Sequence, residues 1–258
     1  MAVPLHVTTY GTQGPALVLL HGFLGSSVNL HKMAKSPLGD YCRVYAADAR
    51  NHGRSPRAEP FTYAAMAEDV LALMDHLALE QAILMGHSMG AKTAMTVAML
   101  EPERVRGLIV VDMAPRAYTP HHGPILDALS GVNLAACATR TDVDDALARA
   151  LPDAGLRAFL LQNLERSPEG FQWRIPLDLL QRDYYRVTEA LIDGPPYSGP
   201  TLFVRGERSS YIRDEDENLI YLHFPAADIV TIGGASHWVH VDAPDALNRV
   251  VENFLRDF

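Results

Sequence analysis

Ser88 stands in the pentapeptide Gly86-His87-Ser88-Met89-Gly90. The apolar run Ala82-Ile83-Leu84-Met85 precedes it, and Ala91 to Leu100, free of Pro and Gly, follows. A Gly-x-Ser-x-Gly turn between a buried strand and a helix lifts the serine hydroxyl out of the sheet edge. Its glycines fall where a side chain would collide with neighbouring backbone. Such a hydroxyl is a candidate nucleophile, and its chemistry is attack on an acyl carbonyl. A second strand-like run, Ala16 to Leu20, leads into His21-Gly22-Phe23-Leu24-Gly25-Ser26. A His-Gly loop in that position, together with the residue after the nucleophile, supplies backbone donors for an oxyanion. The expected donors are the amides of Phe23 and Met89, each worth about 3 kcal/mol to a transition state. His21 is expected to prop the loop without taking part in the reaction.

The general base should lie near the C-terminus if the order is nucleophile, acid, histidine. Gly233-Gly234-Ala235-Ser236-His237-Trp238-Val239-His240 follows the strand-like Ile229 to Ile232 and precedes a final helix opening near Pro244. His237 is the expected base, because the glycines free its approach; His240 is the alternative. His87 flanks the nucleophile and is expected to point away from its hydroxyl. The acid is less obvious. After the penultimate strand, Thr201 to Gly206, comes Glu207-Arg208-Ser209-Ser210-Tyr211, with serine where aspartate is commonest. One strand earlier, Leu108 to Val111 ends in Asp112. If that strand neighbours the one carrying Ser88, their ends lie about 5 Å apart and one imidazole can reach both. Asp112 is therefore the expected acid, holding the histidine tautomer and stabilising the imidazolium. Glu207 and Asp214 remain alternatives, and Asp112 could instead only cap the following turn.

The elements that must position these groups alternate. Strand-like segments lie near 3–10, 16–20, 43–47, 82–86, 107–111, 201–205 and 228–232. Helical patterns lie near 28–35, 62–78, 88–100, 213–223 and 244–257, with Thr62 suited to cap the second. Alternation of this kind implies an α/β fold: a mostly parallel sheet with helices on both faces and functional groups at the carboxyl ends of its strands. Between Asp112 and Thr201 the alternation breaks. Helical patterns near 122–131, 141–151, 153–165 and 176–192, with no strand pair, read as a helical cap. The expected division is a core of 1–115 and 195–258 and a cap of 116–194.

Leu126, Leu129, Leu156, Phe159, Leu160, Phe171, Trp173, Ile175 and Leu179 give that cap its apolar surface. Singly they suit packing; together they suit a tunnel for an acyl chain. Leu24, His87, Phe159, Trp173 and Trp238 are the residues expected to touch substrate, and Arg174 is expected in a surface salt bridge.

With 258 residues, 48% of them hydrophobic, the chain can bury one large core. The net charge of −9 is spread along the sequence and argues against nucleic acid or an anionic membrane as main partner. The acidic run Asp214 to Glu217 fits the first turn of a helix rather than a metal site. Cys42 and Cys137 are far apart with no motif, which fits a reducing compartment. Val3 to Tyr10 reads as strand rather than targeting segment, and no apolar run could span a bilayer, so a cytoplasmic location is the default expectation. His121, His122, His237 and His240 show no metal-ligand spacing. Neither metal nor cofactor is expected.

Five stretches together resemble a known family: Leu20 to Ser26, Asp48-Ala49-Arg50-Asn51-His52-Gly53-Arg54-Ser55-Pro56, Gly86 to Gly90, Val111-Asp112-Met113-Ala114-Pro115 and Gly234 to His240. They are similar to the α/β-hydrolase superfamily, in its small capped esterase/thioesterase branch, which includes α/β-hydrolase-domain-11-type proteins. The resemblance covers nearly the whole chain outside the cap. It implies serine after the penultimate strand and an aspartate after the strand before that one, hence Asp112, and gives Arg50 to Pro56 a loop-organising role. Two residues depart from the pattern: Ala91 stands where a glycine is frequent and Leu30 where an aromatic is common. The implied activity is hydrolysis of short-to-medium acyl esters or thioesters through Ser88. Two other readings stay open, a lyase of the menaquinone-synthesis type on the same fold and a catalytically silent binding protein.

Overall fold

A computed structural model describes residues 1–192 and 194–258. Nine strands and eleven α-helices follow one another among them. The strands are β1 (Val7–Tyr10), β2 (Ala16–Leu20), β3 (Arg43–Ala47), β4 (Ala82–His87), β5 (Val105–Val111), β6 (Leu164–Ser167), β7 (Gly170–Trp173), β8 (Thr201–Gly206) and β9 (Ala227–Ile232). The helices are α1 (His31–Lys35), α2 (Leu38–Tyr41), α3 (Tyr63–His76), α4 (Met89–Leu100), α5 (Gly123–Ser130), α6 (Arg140–Ala148), α7 (Ala154–Leu160), α8 (Leu177–Asp183), α9 (Glu217–His223), α10 (Val239–Asp242) and α11 (Pro244–Leu255).

Seven strands form one sheet in the order β1-β3-β2-β4-β5-β8-β9. Only β1 runs antiparallel to its neighbour; the other pairings are parallel. Alternate residues of the central strands feed two cores, as the pleat requires. Val18, Leu84, Val110 and Phe203 pack under Val70 and Met74 of α3, Met95 and Ala98 of α4 and Ile220 of α9. Leu17, Leu19, Ile83, Met85, Ile109 and Val204 meet Ala34 of α1, Leu38 of α2 and Leu247, Val251 and Leu255 of α11 on the opposite face. Thr62 does cap α3, its hydroxyl accepting from Ala65 N at 3.3 Å.

Between β5 and β8 the chain builds a third cluster. Leu126, Leu129, Val143, Leu147, Leu160, Ile175 and Leu180 close onto Phe23, Leu24 and Met89. The sequence reading is corrected here. The pattern near 153–165 does not remain helical: α7 ends at Leu160, a 3-10 turn spans Leu161–Asn163, and β6 pairs antiparallel with β7. Each strand has only four residues, too few for a period-two pattern to stand out beside helical neighbours. The pattern near 176–192 also shortens, to α8 and a 3-10 turn over Tyr184–Thr188. At the start of the chain the strand begins at Val7 rather than Val3. The segment before it is fastened by side chains instead of a ladder: Val3 N donates to Asp69 Oδ1 at 2.7 Å and His6 N to Ser55 Oγ at 2.8 Å. Among the described residues no helix is long and apolar enough to cross a membrane.

Candidate active site

Five adjacent strands, β2, β4, β5, β8 and β9, end at one edge of the sheet, and each delivers one loop to the site. Ser88 is the first residue after β4 and sits at φ +54, ψ −118. That conformation is strained for a residue with a side chain. It is held by close backbone approach on both sides. A Cβ on Gly86 would run into the backbone of Gly90, and one on Gly90 into the carbonyls of Leu20 and His21. Ser88 N donates to Val111 O at 3.1 Å, which ties the bend to the end of β5.

Asp112 follows β5 with φ +52 and is fully buried. A carboxylate there needs partners to offset its lost hydration, and it has three. Oδ1 accepts from Gly206 N at 3.0 Å, Ser209 Oγ donates to Oδ2, and His237 Nδ1 donates to Oδ2 at 2.8 Å. The alternative acids are engaged elsewhere. Glu207 accepts from Gly234 N at 2.6 Å, and Asp214, almost wholly exposed, pairs with Arg205 at 2.8 Å.

His87 fastens the histidine loop to the serine strand, its Nε2 donating to His237 O at 2.8 Å. Burial, and then the neighbouring His237 and His240, hold the His87 ring well below the ordinary histidine range, so it stays neutral. The His240 ring packs on His87 at 4.7 Å, and its buried Nδ1 has no partner among the described residues.

The loop after β2 is pinned from two sides. His52 Nδ1 donates to Arg50 O at 3.0 Å, which leaves Nε2 to accept from Leu24 N at 3.1 Å. Burial, chiefly, pushes the His52 pKa down to about 3, which preserves this acceptor. From the other side Asn163 Nδ2 donates to Leu24 O at 2.8 Å. His21 links Gly22 O to Ala49 N, at 2.8 and 3.0 Å, and does prop the loop. Among the described residues the Phe23 N–H has no protein acceptor. Met89 opens α4, so its N–H is one of those a helix leaves unpaired. Two free donors thus stand beside Ser88 in the chain and beside its strand in the sheet.

The sequence matches the family described as alpha/beta hydrolase fold over residues 15–244. The chain belongs to that family, as a carboxylesterase-type member. It is 39% identical over 248 residues to a mouse protein named sn-1-specific diacylglycerol lipase ABHD11, spanning 93% of this chain and 81% of that one. It is 32% identical over 244 residues to Esterase YbfF of Escherichia coli strain K12, spanning 93% of each. A solved structure of a marine microorganism esterase superposes with a TM-score of 0.95 at 37% identity, covering 98% of this chain and all of that one.

In this α/β hydrolase the residues expected to touch substrate are dispersed. Phe159 and Trp238 meet edge to face at 4.7 Å and line a cavity of about 860 Å³ between α1, α7 and α11. The Leu24 side chain is buried in the third cluster, and Trp173 Nε1 donates to Leu129 O at 3.0 Å. Arg174 pairs with Glu165 at 2.9 Å, the expected salt bridge. Arg50 is wholly buried and forks onto Asp69 at 2.6 and 2.7 Å, the fixed point of the loop that carries His52. Among the described residues no group of three or more His, Cys, Asp or Glu is arranged to hold a metal ion.

Sequence reasoning missed three partners. Ser209 was visible only as a departure from the commonest pattern, although a hydroxyl in that place is what a relocated carboxylate requires. His52 acts on Leu24, 28 residues away; the loop-organising role implied for Arg50 to Pro56 did not name this partner. Tyr211 stacks on His237 with ring centroids 3.7 Å apart and planes 14° from parallel.

Proposed function

We propose that this chain is a serine hydrolase that cleaves carboxylic esters or thioesters of short-to-medium acyl chains through an acyl-enzyme on Ser88. The observation that carries the reading is the His237–Asp112 hydrogen bond of 2.8 Å, formed at the same sheet edge as the strained Ser88 bend. Ser88 Oγ attacks the carbonyl carbon while His237 Nε2 takes its proton. Asp112 holds Nδ1 protonated and offsets the imidazolium charge. The oxygen of the tetrahedral intermediate accepts from the amides of Phe23 and Met89. Collapse expels the alcohol or thiol, which leaves with the proton from His237. Water then enters, gives its proton to the same nitrogen, and releases the carboxylic acid and Ser88.

The segment 116–194 serves as a cap in this reading. Its third apolar cluster reaches Phe23 and Met89, so the acyl side of the substrate meets Leu, Ile and aromatic surface. The names of the relatives, a diacylglycerol lipase and an esterase, support ester substrates with an apolar acyl group. Arginines of the cap that could crowd an anionic substrate are largely paired instead, Arg157 with Asp144 and Arg182 with Glu59 and Asp183.

The test is a panel of acyl esters and acyl-coenzyme A thioesters from two to sixteen carbons, run on wild type and Ser88→Ala. Hydrolysis by wild type alone, highest for the shorter chains, is the expected result. Equal rates for both proteins remove Ser88 from the mechanism.

A further inference from the structure

We infer that Tyr211 is a positioning residue for the general base: its ring fixes the plane of His237 and stabilises the imidazolium that forms during acyl transfer. The inference rests on the serine-hydrolase reading above and adds to it a group outside the nucleophile, acid, base and oxyanion donors.

A single hydrogen bond from Nδ1 to Asp112 fixes one point of the imidazole and leaves the ring free to pivot about it. Nε2 would then swing through an arc. Two rings remove that freedom. Tyr211 lies against one face at 3.7 Å and 14°, and His87 approaches at 4.7 Å and 40°. The two differ in chemistry. The Tyr211 face carries the negative side of an aromatic quadrupole and attracts a cation. His87 is neutral and adds no repulsion.

Tyr211 is itself fixed at three points, which an incidental stack would not need. Its N–H donates to Ser209 Oγ at 3.2 Å, the hydroxyl whose proton goes to Asp112. Its carbonyl accepts from Tyr118 Oη at 2.7 Å. Its own hydroxyl donates to His121 Nε2 at 2.7 Å, since His121 Nδ1 is committed to Thr119 O at 3.1 Å. Residues 209–211 therefore form a bracket whose first member holds the acid and whose last holds the base. Sequence alone shows only a serine and a tyrosine in a loop.

The titratable and charged groups facing His237 are Asp112, Tyr211, His87, His122 and His240. Asp112 favours the imidazolium, while His87, His122 and His240 are held neutral by burial. Loss of the Tyr211 ring removes a favourable partner of the cation, so the acid limb of the rate profile moves to lower pH.

The experiment compares Tyr211→Phe, Tyr211→Leu and Tyr211→Met with wild type and Ser88→Ala, using a p-nitrophenyl ester across pH 5 to 9 with melting temperatures for each. The phenylalanine variant, which keeps the ring, is expected within about threefold of wild type in kcat. The leucine and methionine variants are expected to lose about tenfold in kcat with little change in KM, and to show the shifted acid limb. Methionine fills the site without branching and keeps the test open if the leucine variant does not fold. Wild-type kcat and pH limb in a folded leucine or methionine variant overturn the inference. So does a phenylalanine variant as impaired as they are, since the hydroxyl would then carry the effect. An active Ser88→Ala would instead overturn the parent reading.

Discussion

Ser209 Oγ and His237 Nδ1 donate to the same oxygen of Asp112, so Ser209 orients the carboxylate that the proposed mechanism uses as its acid. The carboxylate follows β5, and the loop after the neighbouring strand β8 supplies its hydrogen bond. Asp112→Asn is expected to lower kcat by on the order of 10³–10⁴-fold through the wrong histidine tautomer. Ser209→Ala, which leaves Gly206 N in place, is expected to lose about tenfold. Glu207→Gln should stay close to wild type, and steady-state turnover of a p-nitrophenyl ester checks all three. A severe loss in Glu207→Gln together with a mild one in Asp112→Asn would reassign the acid.

His52 sets the position of Phe23 through the amide of Leu24. His52→Ala is expected to reduce kcat about tenfold with KM nearly unchanged, because the loop amide serves the transition state more than the ground state. His52→Gln, whose side-chain oxygen can accept from the same amide, should recover part of the loss. A rise in KM at constant kcat would instead give His52 a role in holding substrate.

Several buried histidines make the fold sensitive to acid. Burial pushes His52 and His122 down to about 3 and His240 to about 4, and holds His87 well below the ordinary range. The unfolded chain takes up these protons near pH 6.5, whereas the native protein does not. Their contribution is complete above pH 6.5 and is lost as pH falls toward the folded values. Each ring adds a slope approaching about 1.4 kcal/mol per pH unit. Urea midpoints are therefore expected to fall steadily from pH 7 to 4.5. His240→Phe should flatten the curve while changing little at pH 7, since Nδ1 has no partner to lose among the described residues. An unchanged slope in that variant would mean His240 is protonated in the native state.

Lys92 responds in the opposite range. It lies one turn along α4 from Ser88, buried, with Nζ donating to Arg116 O at 2.8 Å and Glu189 O at 2.6 Å. Arg116 lies where the chain leaves β5 for the segment above the sheet, and Glu189 where it returns toward β8. Burial, then the Arg116 charge, lowers the Lys92 pKa to about 7, against the pull of Glu189. Between pH 7 and about 10 the unfolded lysine holds a proton that the native one lacks, so its contribution to stability rises with pH. The stability difference between wild type and Lys92→Met should accordingly move in favour of wild type from pH 7 to 10. A constant difference would mean that Lys92 ionises as an ordinary lysine.

The sheet was legible because its signal is local. Ala82 to Met85 and Leu108 to Val111 are apolar runs buried on both faces. The turns that present Ser88 and His237 were legible because glycines mark them. The hairpin Leu164–Trp173 was not, since a strand of four residues carries one turn's worth of pattern. The pairings made by Tyr211 and His52 were not legible either. Their partners lie 26 and 28 residues away in the chain, and only the closing of the sheet brings them together.

Ser88 and Asp112, each following one of two neighbouring strands, both have positive φ, +54 and +52. Backbone of that kind costs on the order of 1–3 kcal/mol per residue when a side chain is present, and glycine escapes most of it. A Ser88→Gly protein, inert under the proposed mechanism, is therefore expected to melt above the wild type. If Ser88 is the nucleophile proposed, endurance and catalysis are opposed at this single position, and screening for thermal robustness alone would drift toward a dead enzyme.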